Sequence, residues 1–247
     1  MESFIHILGC GDAFASGGRA NTSFLVSHLG KKILLDCGST TLTKLKACGY
    51  CFQEISGIAI SHFHGDHFGG IPNLILDAEF GNHKSKGFFI TSPKEGKKRI
   101  SDLMECLYPG TSNLIDKQNI TFHYYIDKEE IDLDFCKISA LPVVHTPESY
   151  PHGIRLTIDD FIIAFSGDTM WTDNLIELSE SADIFIVDCN FLTNRGVNHM
   201  DYETLTQNLH RLNAGKIYLT HMGEEVLNSA EVEIEKLNDG QFILLSK

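Results

Sequence analysis

The sequence predicts one layered α/β domain over residues 1–247. Three observations carry this. Short β-like runs alternate with helix-like runs along the chain, no Pro/Ser-rich linker, low-complexity tract or strong internal repeat interrupts them, and the length is enough to bury a substantial core.

Taken in order, the expected strands of the first half are Phe4–Gly9, Ser23–Ser27, Lys32–Asp36, Gly57–Ile60, Phe88–Thr91 and Thr121–Tyr125. Those of the second half are Lys137–Pro142, Gly153–Ile158, Phe161–Ser166, Ile184–Asp188, Lys216–Leu219 and Phe242–Leu245. Each is a short apolar or β-branched run ending in turn residues. Helical spacing covers Thr41–Cys48, Ile71–Phe80, Pro93–Leu107, Thr172–Glu180, Tyr202–Leu212 and Ala230–Leu237. Pro93 suits a first helical turn, and Asp201 suits an N-cap.

Hydrophobic residues make up 43% and charged residues 21%, as in an ordinary soluble enzyme. Met1-Glu2-Ser3-Phe4-Ile5 lacks the basic flank of a signal peptide, and no apolar run approaches membrane-spanning length. A cytoplasmic protein without a membrane partner is expected. The seven scattered cysteines agree with reduced thiols. Cys48 and Cys51 have C-x-x-C spacing, but no second pair completes a zinc knuckle, so structural thiols at a turn are the reading preferred. A net charge of −13 disfavours nonspecific binding to nucleic acid or anionic membranes. The basic segment Lys84–Arg99 runs against that trend; a solvated helix face explains it, and a basic rim beside an anionic substrate is the sharper alternative.

The decisive feature is Ser61-His62-Phe63-His64-Gly65-Asp66-His67, directly after the apolar run Ile58-Ala59-Ile60. These four potential ligands cannot all face one way on a strand or a helix, but on a tight loop they can splay around two ions. Gly65 is read as relieving crowding at a sharp turn. Three further candidates also follow apolar runs: His145 after Leu141-Pro142-Val143-Val144, Asp168 in Phe165-Ser166-Gly167-Asp168-Thr169, and His221 after Ile217-Tyr218-Leu219-Thr220. Layered α/β folds gather functional side chains where strands deliver their ends.

H-x-H-x-D-H, a later His, an S-G-D-T turn and a final T-H together resemble the metallo-β-lactamase-fold hydrolase superfamily. The resemblance extends from the G-C-G-D turn at Gly9–Asp12 to His221. It implies a four-layer αβ/βα sandwich holding two divalent ions, zinc first, with manganese or iron as alternatives. It also implies that His62, His64 and His145 hold one ion, that Asp66, His67 and His221 hold the other, and that Asp168 bridges. Diiron relatives typically carry Glu at the position of His64, which favours hydrolysis over electron transfer here.

Two divalent ions outweigh two carboxylates and a bridging hydroxide, leaving a centre of about +1 suited to a small anionic substrate. Asp66 is also placed to orient the attacking oxygen. His199, just before a capped helix, matches a histidine that acts as general acid in the ribonuclease Z-like branch; a surface histidine is the bland alternative. Asp36 is read as orienting a ligand histidine, with turn capping as its alternative.

The loop Ser16-Gly17-Gly18-Arg19-Ala20-Asn21, the S-H-F-H-G-D-H-F-G-G-I-P run, His145-Thr146-Pro147 and His199 lean toward the ribonuclease Z and phosphodiesterase branch. The chain departs from it in carrying His-Met-Asp at 199–201 in place of His-Ser-Thr, and no evident long arm. A small phosphodiester such as a cyclic nucleotide or short oligonucleotide is therefore expected ahead of folded RNA, and a homodimer is possible for this superfamily. The alternatives are hydrolysis of a carboxylic ester, thioester or lactone, in a pocket using groups such as Phe14, Tyr150 and Trp171, or a metal-stabilised sensor or scaffold. Gly9-Cys10-Gly11 lacks the third glycine of a dinucleotide loop, and no G-x-S-x-G elbow occurs. The remaining histidines (His6, His28, His83, His123, His152 and His210) default to structural or surface roles, with His152 singled out because the loop after His145 could approach substrate.

Overall fold

A computed structural model describes residues 3–81, 88–133, 135–196 and 198–245. Strands β1 Phe4–Gly9, β2 Ser23–His28, β3 Lys31–Leu35, β4 Ile55–Ala59, β5 Phe89–Ser92 and β6 Thr121–Tyr124 come first. Then follow β7 Glu130–Leu133, β8 Cys136–Pro142, β9 His152–Ile158, β10 Phe161–Phe165, β11 Ala182–Asp188, β12 Ala214–Thr220, β13 Glu235–Lys236 and β14 Phe242–Leu244. The helices are α1 Thr41–Ala47, α2 Gly65–Phe68, α3 Ile71–Phe80, α4 Gly96–Leu107, α5 Leu114–Lys117, α6 Asn174–Ser179, α7 Tyr202–Asn208 and α8 Glu224–Asn228. Among the described residues, no helix is long and apolar enough to cross a membrane.

The chain forms two compact units. One comprises Met1–Gly9, Ala20–Tyr124 and Gly240–Lys247; the other comprises Cys10–Arg19 and Tyr125–Asp239. The first unit holds a seven-stranded sheet in the order β14-β1-β2-β3-β4-β5-β6. Its first three pairings are antiparallel and its last three parallel. Ile5, Phe24, Ile33, Leu34 and Ile58 are fully buried in it, α1 packs beside β1, and α3 packs against α4 and α5.

The second unit repeats the pattern with β7-β8-β9-β10-β11-β12-β13, again three antiparallel pairings followed by three parallel ones. Nothing in residue identity shows this repeat, because it is one of backbone pairing. Its core joins Ala164, Phe185, Val187 and Leu219 of the sheet to Leu175 and Leu178 of α6 and Leu205 of α7. Asp201 caps α7 as expected, accepting the Thr204 N–H at 2.8 Å.

Two helix expectations are corrected. Residues 230–237 form no helix: Glu235 and Lys236 pair in parallel with Tyr218 and Leu219 of β12. Val232 and Ile234, apolar at a period of two, pack on the core of the second unit. Helix α4 begins at Gly96, not Pro93, because Glu95 is left-handed at φ 70° and ends any helix preceding it. Of the basic segment, Lys84 and Lys86 lie outside the described residues. Lys97 and Lys98 pair with Asp116 and Asp102 on the surface, and Arg99 lies over the ring of Phe63, its Cζ 5.8 Å from the centroid. Cys48 and Cys51 are exposed free thiols.

Candidate metal centre

In the first unit, β3 and β4 run parallel and release their carboxyl ends side by side. Asp36 ends one and Ser61-His62 the other. The Asp36 carboxylate is fully buried and takes three donors: the Ser61 N–H at 2.7 Å, the Ser61 hydroxyl at 2.7 Å and Nδ1 of His67 at 2.7 Å. Because the Ser61 hydroxyl proton goes to Asp36, its oxygen accepts from Nδ1 of His62 at 3.0 Å. Both imidazoles thus carry their proton on Nδ1 and their lone pair on Nε2, the form in which histidine binds metals. The His62 ring centroid lies 4.7 Å from that of His64 and 4.2 Å from that of His67, and Asp66 Oδ2 lies 3.3 Å from His67 Nε2.

The H-x-H-x-D-H run is only half a loop. Gly65–Phe68 is the single turn α2, which carries Asp66 and His67, while His64 precedes it in extended backbone and His62 lies outside any helix or strand. The expectation for Gly65 fails, since a Cβ there would meet nothing within 4 Å. The glycine that matters is Gly38, where a Cβ would fall 2.2 Å from the carbonyl oxygen of Asp66. The Cys37 N–H, which donates to the His67 carbonyl at 2.6 Å, ties the same two turns together.

In the second unit, β10, β11 and β12 are mutually parallel and bring Asp168, Asp188 and His221 to one edge. Asp168, Asp188, His199 and His221 each offer a ligand atom within 4.8 Å of the others. Asp168 Oδ2 lies 3.4 Å from His221 Nε2 and 3.9 Å from His145 Nε2. His145 Nδ1 donates to the Asn198 carbonyl at 2.6 Å, so its Nε2 lone pair faces the Asp168 carboxylate. Burial holds the His145 imidazole below its ordinary range, keeping it neutral as a ligand must be. Val144 N–H donates to Thr169 Oγ1 and Met170 N–H to the Val144 carbonyl, joining the His145 and Asp168 turns. His221 is itself left-handed at φ 56°, and its N–H donates to the Cys10 carbonyl at 3.0 Å.

His199 is joined to this edge by a residue that sequence reasoning missed. Its Nδ1 donates to Asp188 Oδ2 at 2.9 Å, and its ring stacks on His221 at 5.1 Å and 13°. Asp188 is fully buried and also accepts the Thr169 N–H at 3.0 Å. A signal existed, because Asp188 ends an apolar strand as Asp36 does. His152 opens β9, with Nδ1 2.8 Å from the Tyr150 carbonyl and its ring beside Tyr125, as its structural default expects.

The donor chemistry of both units suits a divalent cation. In each, a histidine ring nitrogen and a carboxylate oxygen face each other, an arrangement that a positive ion between them would stabilise.

Two mixed sheets flanked by helices, with His/Asp clusters at the carboxyl ends of their parallel strands, make this a metallo-β-lactamase-fold protein, the αβ/βα class expected from sequence. The crystal structure of the metallo-β-lactamase fold protein YhfI from Bacillus subtilis matches with a TM-score of 0.79 at 21% identity, covering 99% of this chain and 100% of that one. Residues 4–243 match the family described as Anti-Pycsar protein Apyc1, and the chain belongs to that family. It is 23% identical over 243 residues to the Anti-Pycsar protein Apyc1 of Bacillus phage 010DV004, covering 89% of each chain. It is 29% identical over 154 residues to ribonuclease Z of Clostridium acetobutylicum, covering 62% of this chain and 49% of that protein. The match thus spans about half the length of that ribonuclease.

Proposed function

We propose that the protein is a dinuclear metal-dependent phosphodiesterase acting on a small phosphodiester or nucleotide. In this reading His62, His64 and His145 hold one ion, Asp66, His67 and His221 hold the second, and Asp168 serves both. Zinc fits the imidazole-rich set first, with manganese or iron as alternatives. Such ions would supply positive charge for the phosphoryl oxygens and lower the pKa of a water molecule.

The observation that carries the reading is the Asp188–His199 pair beside Asp168 and His221. An imidazole whose Nδ1–H is fixed on a buried carboxylate presents Nε2 as a proton donor to a departing alkoxide, which a phosphodiester needs and a purely structural metal site does not. Asp188 positions that ring and stabilises its protonated form. Asp36 holds His67 and, through Ser61, His62. Asp66 contributes a ligand oxygen and can accept a hydrogen bond from the attacking water. The acidic surface, with a net charge of −13, fits a small substrate held at a local positive centre better than a long nucleic acid gripped along its backbone.

The test is hydrolysis of bis(p-nitrophenyl) phosphate beside a p-nitrophenyl ester and a lactone, with zinc and with manganese, on protein of measured metal content. Preferential phosphodiester turnover, lost on chelation and restored by metal, is the expected result. Ester or lactone turnover alone would overturn the substrate class. Absence of bound metal under metal-replete conditions would overturn the centre itself.

A further inference from the structure

The loop between Cys10 and Arg19 carries Phe14 with 89% of its surface exposed, the most open of the exposed large apolar side chains among the described residues. An isolated exposed apolar residue is ordinary on a protein surface. This one differs in how it is held.

Asp12, buried at the base of the loop, accepts the Phe14 N–H at 3.1 Å, the Ser16 N–H at 2.9 Å and the Ser16 hydroxyl at 2.6 Å. Ala15 is fixed in the left-handed region at φ 56°, and Gly17 N–H donates to Glu224 at 2.8 Å. The loop springs from Cys10, whose carbonyl accepts the His221 N–H and the Thr220 hydroxyl. The ring therefore stands on a braced turn, in water, at the tip of a loop whose base is bonded to the backbone of His221, a proposed metal ligand.

We propose that Phe14 is the specificity-determining platform of the site, stacking on the nucleobase of a nucleotide phosphodiester whose phosphate lies at the metal centre. This rests on the phosphodiesterase reading above. A preset aromatic face accepts any base, because every base has a π-face, so the platform sets affinity for nucleotides as a class and does not choose one base.

The test compares wild type and Phe14→Ala, metal-loaded, on two diesters with the same leaving group: thymidine 5′-(p-nitrophenyl phosphate), which bears a base, and methyl p-nitrophenyl phosphate, which does not. The expected result is a rise of about tenfold or more in KM for the first at nearly constant kcat, with the second changed less than about twofold. Equal changes on both, or none, overturn the proposal. Phe14→Trp supplies a readout that needs no turnover: its emission, over the Trp171 background, is expected to be quenched by thymidine 5′-monophosphate and not by inorganic phosphate. Quenching by neither, or by both alike, overturns stacking. If wild type hydrolyses neither diester the phosphodiesterase reading fails, while the fluorescence result still decides the role of the ring. A Phe14→Ala chain that changes oligomeric state without discriminating the two diesters would assign the ring to contact between copies and overturn the platform.

Discussion

Asp36 accepts the Nδ1 proton of His67 at 2.7 Å while also accepting both donors of Ser61, whose hydroxyl oxygen in turn holds His62. One buried anion therefore fixes the ring orientation and tautomer of two proposed ligands. Asp36→Asn is expected to weaken metal binding by about 10–100-fold, measured by competition with a chromophoric chelator. Asp36→Ala is expected also to destabilise the metal-free fold by about 1–3 kcal/mol for each donor left unsatisfied, read by urea denaturation.

The Asp188–His199 pair predicts a dependence on the leaving group. His199→Ala should slow hydrolysis of diesters with poor alkoxide leaving groups by about 10²–10⁴-fold, and affect an activated aryl leaving group far less. Asp188→Asn should follow the same pattern, and the double variant should be little worse than either alone, since the two act as a unit. A uniform loss across leaving groups would remove the proton-donor role.

Gly38→Ala tests the packing beneath Asp66. The added methyl would stand 2.2 Å from a backbone carbonyl oxygen and 2.4 Å from Cβ of Asn21, so the turn bearing Asp66 must move. Reduced metal content in a protein of near-normal circular dichroism is expected, whereas Gly65→Ala should leave metal content unchanged.

The sequence made the strand ends legible because each proposed ligand follows an apolar run, and a buried strand announces itself by composition. The strand Phe4–Gly9 has the bounds expected, and most others differ by a residue or two. Less legible were short elements whose existence depends on partners distant in the chain. Strand β7, Glu-Ile-Asp-Leu, is a half-exposed edge strand, and β13 has two residues whose partners are Tyr218 and Leu219. Asp188 escaped for a related reason: its role is defined by His199 and Thr169, which reach it through side-chain and turn geometry that spacing does not encode.

The thiols divide by burial. Cys48, Cys51 and Cys106 are exposed, while Cys10, Cys37, Cys136 and Cys189 are buried. Burial pushes the Cys10 thiol up to about 12 and raises Cys37 and Cys189 as well. Three equivalents are expected to react with an aromatic disulfide reagent in the native protein at pH 8, and the other four only on unfolding.

Glu54 offers a test of pH linkage. Its hydrogen bond to Lys32, 2.9 Å long, holds its carboxyl below the usual range, helped by the Cys51 N–H. A depressed folded-state pKa gives stability that is present above the unfolded value and lost as pH falls through the folded one. Glu54→Gln should therefore cost stability at pH 7, by less than about 1 kcal/mol because the carboxylate is part-exposed. That difference should fade as the pH falls below the ordinary carboxylate range, followed by thermal unfolding at several pH values.

The pairing of β1 with β14 joins Phe4 to Leu244. For a ribosome adding about 5–20 residues per second, the outer edge of β1 waits roughly 10–50 s before its neighbour exists. Throughout that interval a nascent chain presents unsatisfied N–H and C=O groups along a buried-type strand, the kind of edge that recruits foreign strands. Translation speed and chaperone supply during synthesis should therefore set the yield of native protein as strongly as the stability of the finished fold.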